Sequence, residues 1–236
     1  MKKENLLRAL AETRQREVDL VAMCEDAPPD PSGRWRPQDH LAHLAFWRDR
    51  EARLIDAVRA GGELPPDVSG EQENARVYET TREQSVAEVV AAARQSWDSL
   101  EAAVAACTDD DLDRPRPYAR QPQKLGDGSP GDHVATHLFW CHIEAGDEKA
   151  AEAVLRWAQD LSSRTSNDPR THAVGAYNLA CYYARTGQAA EALPLLRESF
   201  EVAPDLKEWS HKDPDLDPIR GDARIEELLG APAQAS

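Results

Sequence analysis

The chain has little of what marks a nucleic-acid binder, a membrane protein or a disulfide-stapled fold. Its 236 residues include 28 lysines and arginines against 43 aspartates and glutamates, a formal charge of -15. Nucleic acids and anionic membranes are polyanions that need a basic footprint, so neither is an expected partner. No apolar run approaches the ~20 residues of a membrane-spanning helix. The opening Met1-Lys2-Lys3 leads into Glu4 and Asn5 rather than the apolar core of a signal peptide. Four cysteines, Cys24, Cys107, Cys141 and Cys181, are widely scattered with no CxxC pair, which excludes a zinc ribbon and a disulfide framework and suits a reduced cytoplasm. There is no glycine-rich phosphate loop and no Ser-His-Asp arrangement. Period-two segments are also missing, which argues against a sheet.

What remains is helical periodicity. With 41% hydrophobic residues the chain can build a core. Residues 4 to 23 place Leu6, Leu7, Leu10, Val18 and Val21 mostly at three- and four-residue spacings, predicting one surface helix. A loop holding Pro28, Pro29, Pro31 and Gly33 precedes Pro37 and Asp39, which open a second helix stopped by Gly61-Gly62. A short helical piece near 72 to 82 and a long helix from about Ser85 to Cys107 follow. The stretch from Asp109 to Gly128, with Pro115, Pro117 and Pro122, reads as a surface loop, and Asp109-Asp110-Asp111 as a solvated run. Ser129, Pro130 and Asp132 then cap a fourth helix. Four long amphipathic helices predict an all-α bundle over residues 1–145, in which a site forms from side chains on facing helices.

The last third differs. From Ala173 to Pro204, Leu179, Ala180, Tyr183, Gly187, Ala192 and Pro204 match the pattern of a tetratricopeptide (TPR) repeat, a helix-turn-helix unit. One repeat cannot bury its own faces, so residues 147 to 163 are expected to pack as a preceding half repeat and the apolar residues from Trp209 to Leu229 as caps. The expected organisation is a bundle at 1–145, a TPR-like segment at 146–230 with one clear repeat at 173–204, and a disordered tail at 231–236.

Histidines carry the chemistry. His133 and His137 stand at i and i+4 on one helix face, and a third imidazole from a facing helix would complete a three-nitrogen metal site with an open position. Either His40 or His43 could supply it. On a helical wheel His40 lies about 25° from the centre of the apolar stripe and His43 about 80° away, so periodicity favours His40. Trp47 and Trp140, one turn from His43 and His137, are weak candidates for lining a pocket, against a plain packing role. His142 points elsewhere, and Cys141 reads as a buried thiol without a catalytic part.

Trp35, Pro37 and Asp39 ahead of Leu41-Ala42-His43-Leu44-Ala45, with His133 and His137 four apart on the last bundle helix, resemble the DinB-like four-helix bundle superfamily. The resemblance implies a divalent metal triad of His43, His133 and His137, choosing His43 over His40. Asn74-Ala75-Arg76-Val77-Tyr78-Glu79 and Ser85-Val86-Ala87-Glu88-Val89 also look like its ClbS/DfsB branch. Relatives implied by the resemblance include thiol-dependent transferases and isomerases and a protein that protects cells from a genotoxic natural product. The function it implies is a metal-dependent transferase, isomerase or hydrolase acting on a small electrophilic or toxic compound, a detoxification role. Zinc or nickel leads as the metal, with manganese or iron as alternatives, and a low-molecular-weight thiol as co-substrate. The competing reading is a non-enzymatic protein that sequesters a small molecule or recruits a protein partner, or a second copy of itself, through the TPR segment.

Overall fold

A computed structural model describes residues 2–119, 123–127, 130–166 and 168–230. The expected cap at Ser129, the loop proline Pro122 and the expected tail at 231–236 lie outside the described residues. The chain divides into two compact units, Met1–Ala145 and Gly146–Ser236. Both are helical, and β pairing among the described residues amounts to an isolated bridge between Pro115 and Lys124. No described helix is long and apolar enough to cross a membrane.

In the first unit four long helices, α1 (Lys3–Ala22), α2 (Pro37–Ala60), α4 (Val86–Ala106) and α6 (Pro130–Glu144), alternate with the shorter α3 (Gly70–Thr81) and α5 (Asp109–Leu112). α2 packs on α4, α1 on α6 and α4, and α3 on α2. Local chemistry sets the ends. Pro37 sits in the first turn of α2 while the Asp39 carboxylate accepts the Arg36 amide at 2.8 Å, and Gly61 stops the helix in the left-handed conformation at φ 68°. Ser85 and Glu88 cap α4 reciprocally. The acidic run expected to be loop is instead the short helix α5. Thr108 and Asp111 form a second reciprocal cap, and the Asp109 carboxylate accepts the Lys3 amide at 2.8 Å.

The stripe of α1 also departs from the expected one. Val18 is exposed at 52%, while its neighbour Glu17 is buried at 3%. Glu17 faces inward because Arg48 of α2 meets it there with two hydrogen bonds, of 2.5 and 3.0 Å. Arg48 also donates from Nε to the Ser96 hydroxyl at 3.0 Å and lies 4.0 Å above the Trp97 ring, whose Nε1 donates to Glu17 at 2.8 Å. Charges buried in this way need complete hydrogen bonding, which three helices combine to provide.

The second unit comprises α7 (Glu148–Thr165), α8 (Pro169–Arg185), α9 (Ala189–Val202), α10 (Pro204–Ser210), a 3-10 helix at Pro214–Ile219 and α11 (Ala223–Leu229). α8 packs on α7, α9 and the 3-10 helix, and α9 carries α10 and α11. Leu179, Ala180, Tyr183 and Ala192 are buried, and Gly187 makes the α8–α9 turn at φ 72°. Pro204 does not merely end α9; it opens α10 in its first turn. The buried Asp213 carboxylate ties this unit together, accepting from Tyr177 Oη at 2.8 Å, Trp209 Nε1 at 3.2 Å and the Cys181 thiol at 3.7 Å. Within the Cys181, Asp213 and Asp215 cluster the Asp213 carboxylate is therefore already engaged by donors of this unit.

Replacing Glu17 with Ala leaves the Arg48 guanidinium buried without its partner. The expected loss is about 3–5 kcal/mol in urea unfolding. Glu4→Ala breaks a solvated pair with Arg8 and should cause no measurable loss. Equal effects of the two substitutions would show that the Glu17 pair is not desolvated.

Candidate metal centre

α2 presents His40 and His43 about one turn apart, and α6 presents His133 and His137 on one face. Ring nitrogens of His43, His133 and His137 lie within 4.8 Å of one another. His43 Nε2 is 2.9 Å from His133 Nε2, and the ring centroids of His43 and His137 are 4.6 Å apart. His40 joins from the side of His137, Nδ1 to Nδ1 at 2.7 Å. The residue favoured by the helical wheel and the one favoured by the resemblance therefore both face α6. His40 meets His137, while His43 lies between His133 and His137, at ring-centroid distances of 5.0 and 4.6 Å.

His40 and His43 are buried, His137 is half-buried, and His133 keeps an edge open to water. Burial pushes His43 down to about 3, helped by His133 and His40. It pushes His40 to about 4 against the pull of Asp39. His137 is depressed by burial and then by the other three rings, and His133 by burial and then by Arg48. All four are thus neutral at neutral pH, the state in which imidazole has a lone pair to offer. When His137 donates its Nδ1 proton to His40, its Nε2 is left as a lone pair, the arrangement in which an outer partner fixes a metal-binding tautomer. Nδ1 of His43 is buried with no hydrogen-bond partner among the described residues. A neutral, nitrogen-only, convergent set with an orphaned buried nitrogen suits a divalent metal ion.

An aromatic wall closes one side. Trp35 stacks parallel to Tyr78 at 5.9 Å and to His137 at 6.2 Å, and tilts against His40 and His43 at 5.3 and 5.2 Å. α3 also supplies Asn74, which accepts from Trp47 Nε1 at 2.9 Å. Behind Trp35, the Arg36 guanidinium binds Asp39 at 2.8 Å and the Arg82 carbonyl at 2.6 Å, anchoring the turn that leads into His40.

On another side, a cavity of about 310 Å³ reaches His133 and Trp47. Arg116 grips Glu51 with two hydrogen bonds, of 2.6 and 2.5 Å, and both line the cavity. Backbone bonds from Leu125 to Arg114 and from Gly126 to Leu112 fold the segment after α5 back, placing Leu125 and Gly126 on the cavity wall. Of the two tryptophans considered from sequence, Trp47 touches this cavity and packs 6.3 Å from His43. Trp140 is 38% exposed, leans on Phe139 and is absent from the lining. Cys141 is buried with its thiol pushed up to about 12 by desolvation, which makes it a poor nucleophile.

Arg48, Glu51 and Arg116 were not singled out from sequence. Arg48 was legible there, because it follows Leu41 and Leu44 and precedes Ile55 on the apolar stripe of α2, where a charge needs a buried partner. Nothing in the pattern marked Glu51 and Arg116.

Compared with known proteins, the chain matches the family model of the DinB superfamily over residues 6–140. No curated protein and no solved structure gives a match.

The depressed histidines set a pH dependence for the metal-free protein. Their folded pKa values lie below the unfolded value near 6.5, so the unfolded chain binds more protons as pH falls. Stability is full above about pH 6.5 and declines toward the folded pKa values near 3 to 4. Each buried ring adds at most about 1.4 kcal/mol per pH unit to that decline. Urea midpoints between pH 7 and 4.5 should fall less steeply for His43→Gln than for wild type; an unchanged slope would contradict the neutral cluster.

Proposed function

This chain belongs to the DinB superfamily, metal-binding in general, and from that premise we propose that it is a divalent-metal-dependent enzyme acting on a small molecule. The observation that carries the reading is the convergence of His43, His133 and His137 nitrogens within 4.8 Å. In this reading the three imidazoles hold the ion, and zinc or nickel fits the donor set best. A divalent ion held there supplies Lewis acidity toward a thiol, water or carbonyl group. His40 keeps His137 in the binding tautomer. Trp35 and Tyr78 shield the imidazoles from water on one side. Arg48, paired with Glu17, disfavours protonation of His133 and so keeps its imidazole neutral.

Within that reading the reaction is the transfer of a thiol or of water to an electrophilic carbon, with a low-molecular-weight thiol as co-substrate and detoxification as the purpose. The ClbS/DfsB branch is the proposed placement in the superfamily. Its support is that Tyr78 stacks on Trp35 beside the histidines and Asn74 accepts from Trp47 Nε1. A cytoplasmic location fits four unpaired cysteines, three of them buried.

We read the second unit as a TPR-like stack that serves as a partner or dimer surface, supported by Val202 and Trp209, exposed at 45% and 56%. Light scattering of the full chain tests self-association directly. A dimer mass that reverts to monomer with Val202→Glu is expected for a dimer surface, and a monomer at all concentrations removes that role.

Elemental analysis of protein purified without a histidine tag or chelator tests the enzyme reading. About one transition metal per chain is expected, lost from the folded His43→Ala, His133→Ala, His137→Ala triple variant. His40→Ala should keep the stoichiometry but weaken affinity by roughly 10- to 100-fold in chelator competition. A folded wild type that takes up none of zinc, nickel, manganese or iron leaves sequestration of a small molecule, without catalysis, as the function.

A further inference from the structure

We propose that the cavity reaching His133 is a binding site for a neutral, mostly apolar small molecule, and that this molecule is the substrate class of the histidine centre. The second half of the proposal rests on the metal-dependent reading above; the first half does not. At about 310 Å³ the cavity is roughly twice the ~150 Å³ of an apolar void that takes one benzene ring, and falls at the lower end of ordinary ligand pockets. Its walls come from well-ordered core positions: Leu10, Leu44, Ile55 and Trp97 are each buried to 3% exposure or less and are supplied by three helices. Side chains held so firmly do not collapse into the space, and the void persists as a shaped container.

Charge decides what enters. Three basic and acidic side chains line the cavity, Arg48, Glu51 and Arg116, and each is already bound in a two-point pair. Arg48 also donates its Nε–H to Ser96. Each guanidinium charge is thus already balanced by a carboxylate and the rest of the lining is mostly apolar, so a charged ligand would give up hydration for little in return. The chain's net charge of -15 further disfavours anions at a distance. Neutral molecules meet no such penalty, and the ring of His133 at the cavity boundary places their reacting group beside the imidazole cluster.

The test uses the full chain, metal-free, titrated with N-phenyl-1-naphthylamine, a neutral fluorophore, and with its sulfonated counterpart 1-anilinonaphthalene-8-sulfonate. One saturable neutral probe per chain is expected, with the sulfonate at least tenfold weaker. Val104→Phe on α4 and Leu6→Trp on α1 fill the cavity from two walls that carry no histidine. Both should weaken the neutral probe at least tenfold while cooperative unfolding and metal stoichiometry stay as in wild type. No saturable binding, equal binding of the two probes, or undiminished binding by a folded filled variant overturns the site. In cobalt-loaded protein the saturating neutral probe should alter the visible absorption of the ion, and an unaltered spectrum overturns the cavity as its substrate site. A chain that binds the probe but never metal overturns only the enzymatic reading.

Discussion

The buried pair between Glu17 and Arg48 is the constraint on which the first unit depends. Two opposite charges at 3% and 7% exposure persist only where every lone pair and proton finds a partner, and those partners come from three helices at once. Glu17 fixes α1, Arg48 fixes α2, and Ser96 with Trp97 fix α4. Sliding any of these helices by one residue would leave a charge unpaired in an apolar interior. The same guanidinium stands close enough to His133 to disfavour its protonation. The register device of the bundle is therefore also part of the electrostatics of the histidine cluster.

Burial acts twice at that cluster. It removes water from the imidazoles, which keeps them neutral, and a neutral imidazole is the form that can donate a lone pair. It also leaves Nδ1 of His43 without a hydrogen-bond partner among the described residues, a cost that packing alone does not repay. Four neutral histidines brought together in this way are costly as packing and well suited as a ligand set. Trp35 and Tyr78 keep one flank dry, and the cavity beyond His133 leaves room for a guest on another.

Helix content and the turns at Gly61 and Gly187 were readable because each depends on neighbours within four residues. α5 escaped because three consecutive aspartates look like a solvated run until Thr108 is seen to cap them. Val18 was assigned to the α1 stripe because spacing cannot tell which of two adjacent residues turns inward; the decision lies with Arg48, 30 residues further on. The histidines were readable as a set, and the choice between His40 and His43 was not. Spacing along α2 carries no information about which nitrogen faces which ring of α6.

The sequence by itself determined an all-helical chain, the DinB-type signature in its first part and the candidate donors on two helices, all of which follow from short-range periodicity and motif. The tertiary structure alone decided that His40 contacts His137 while His43 contacts His133, that Glu51 and Arg116 share the wall of the cavity beside Trp47, and that Trp140 stays out of it. Those facts depend on the approach of helices separated by 65 to 97 residues of chain. Packing of whole helix faces sets that approach, and no local pattern encodes it.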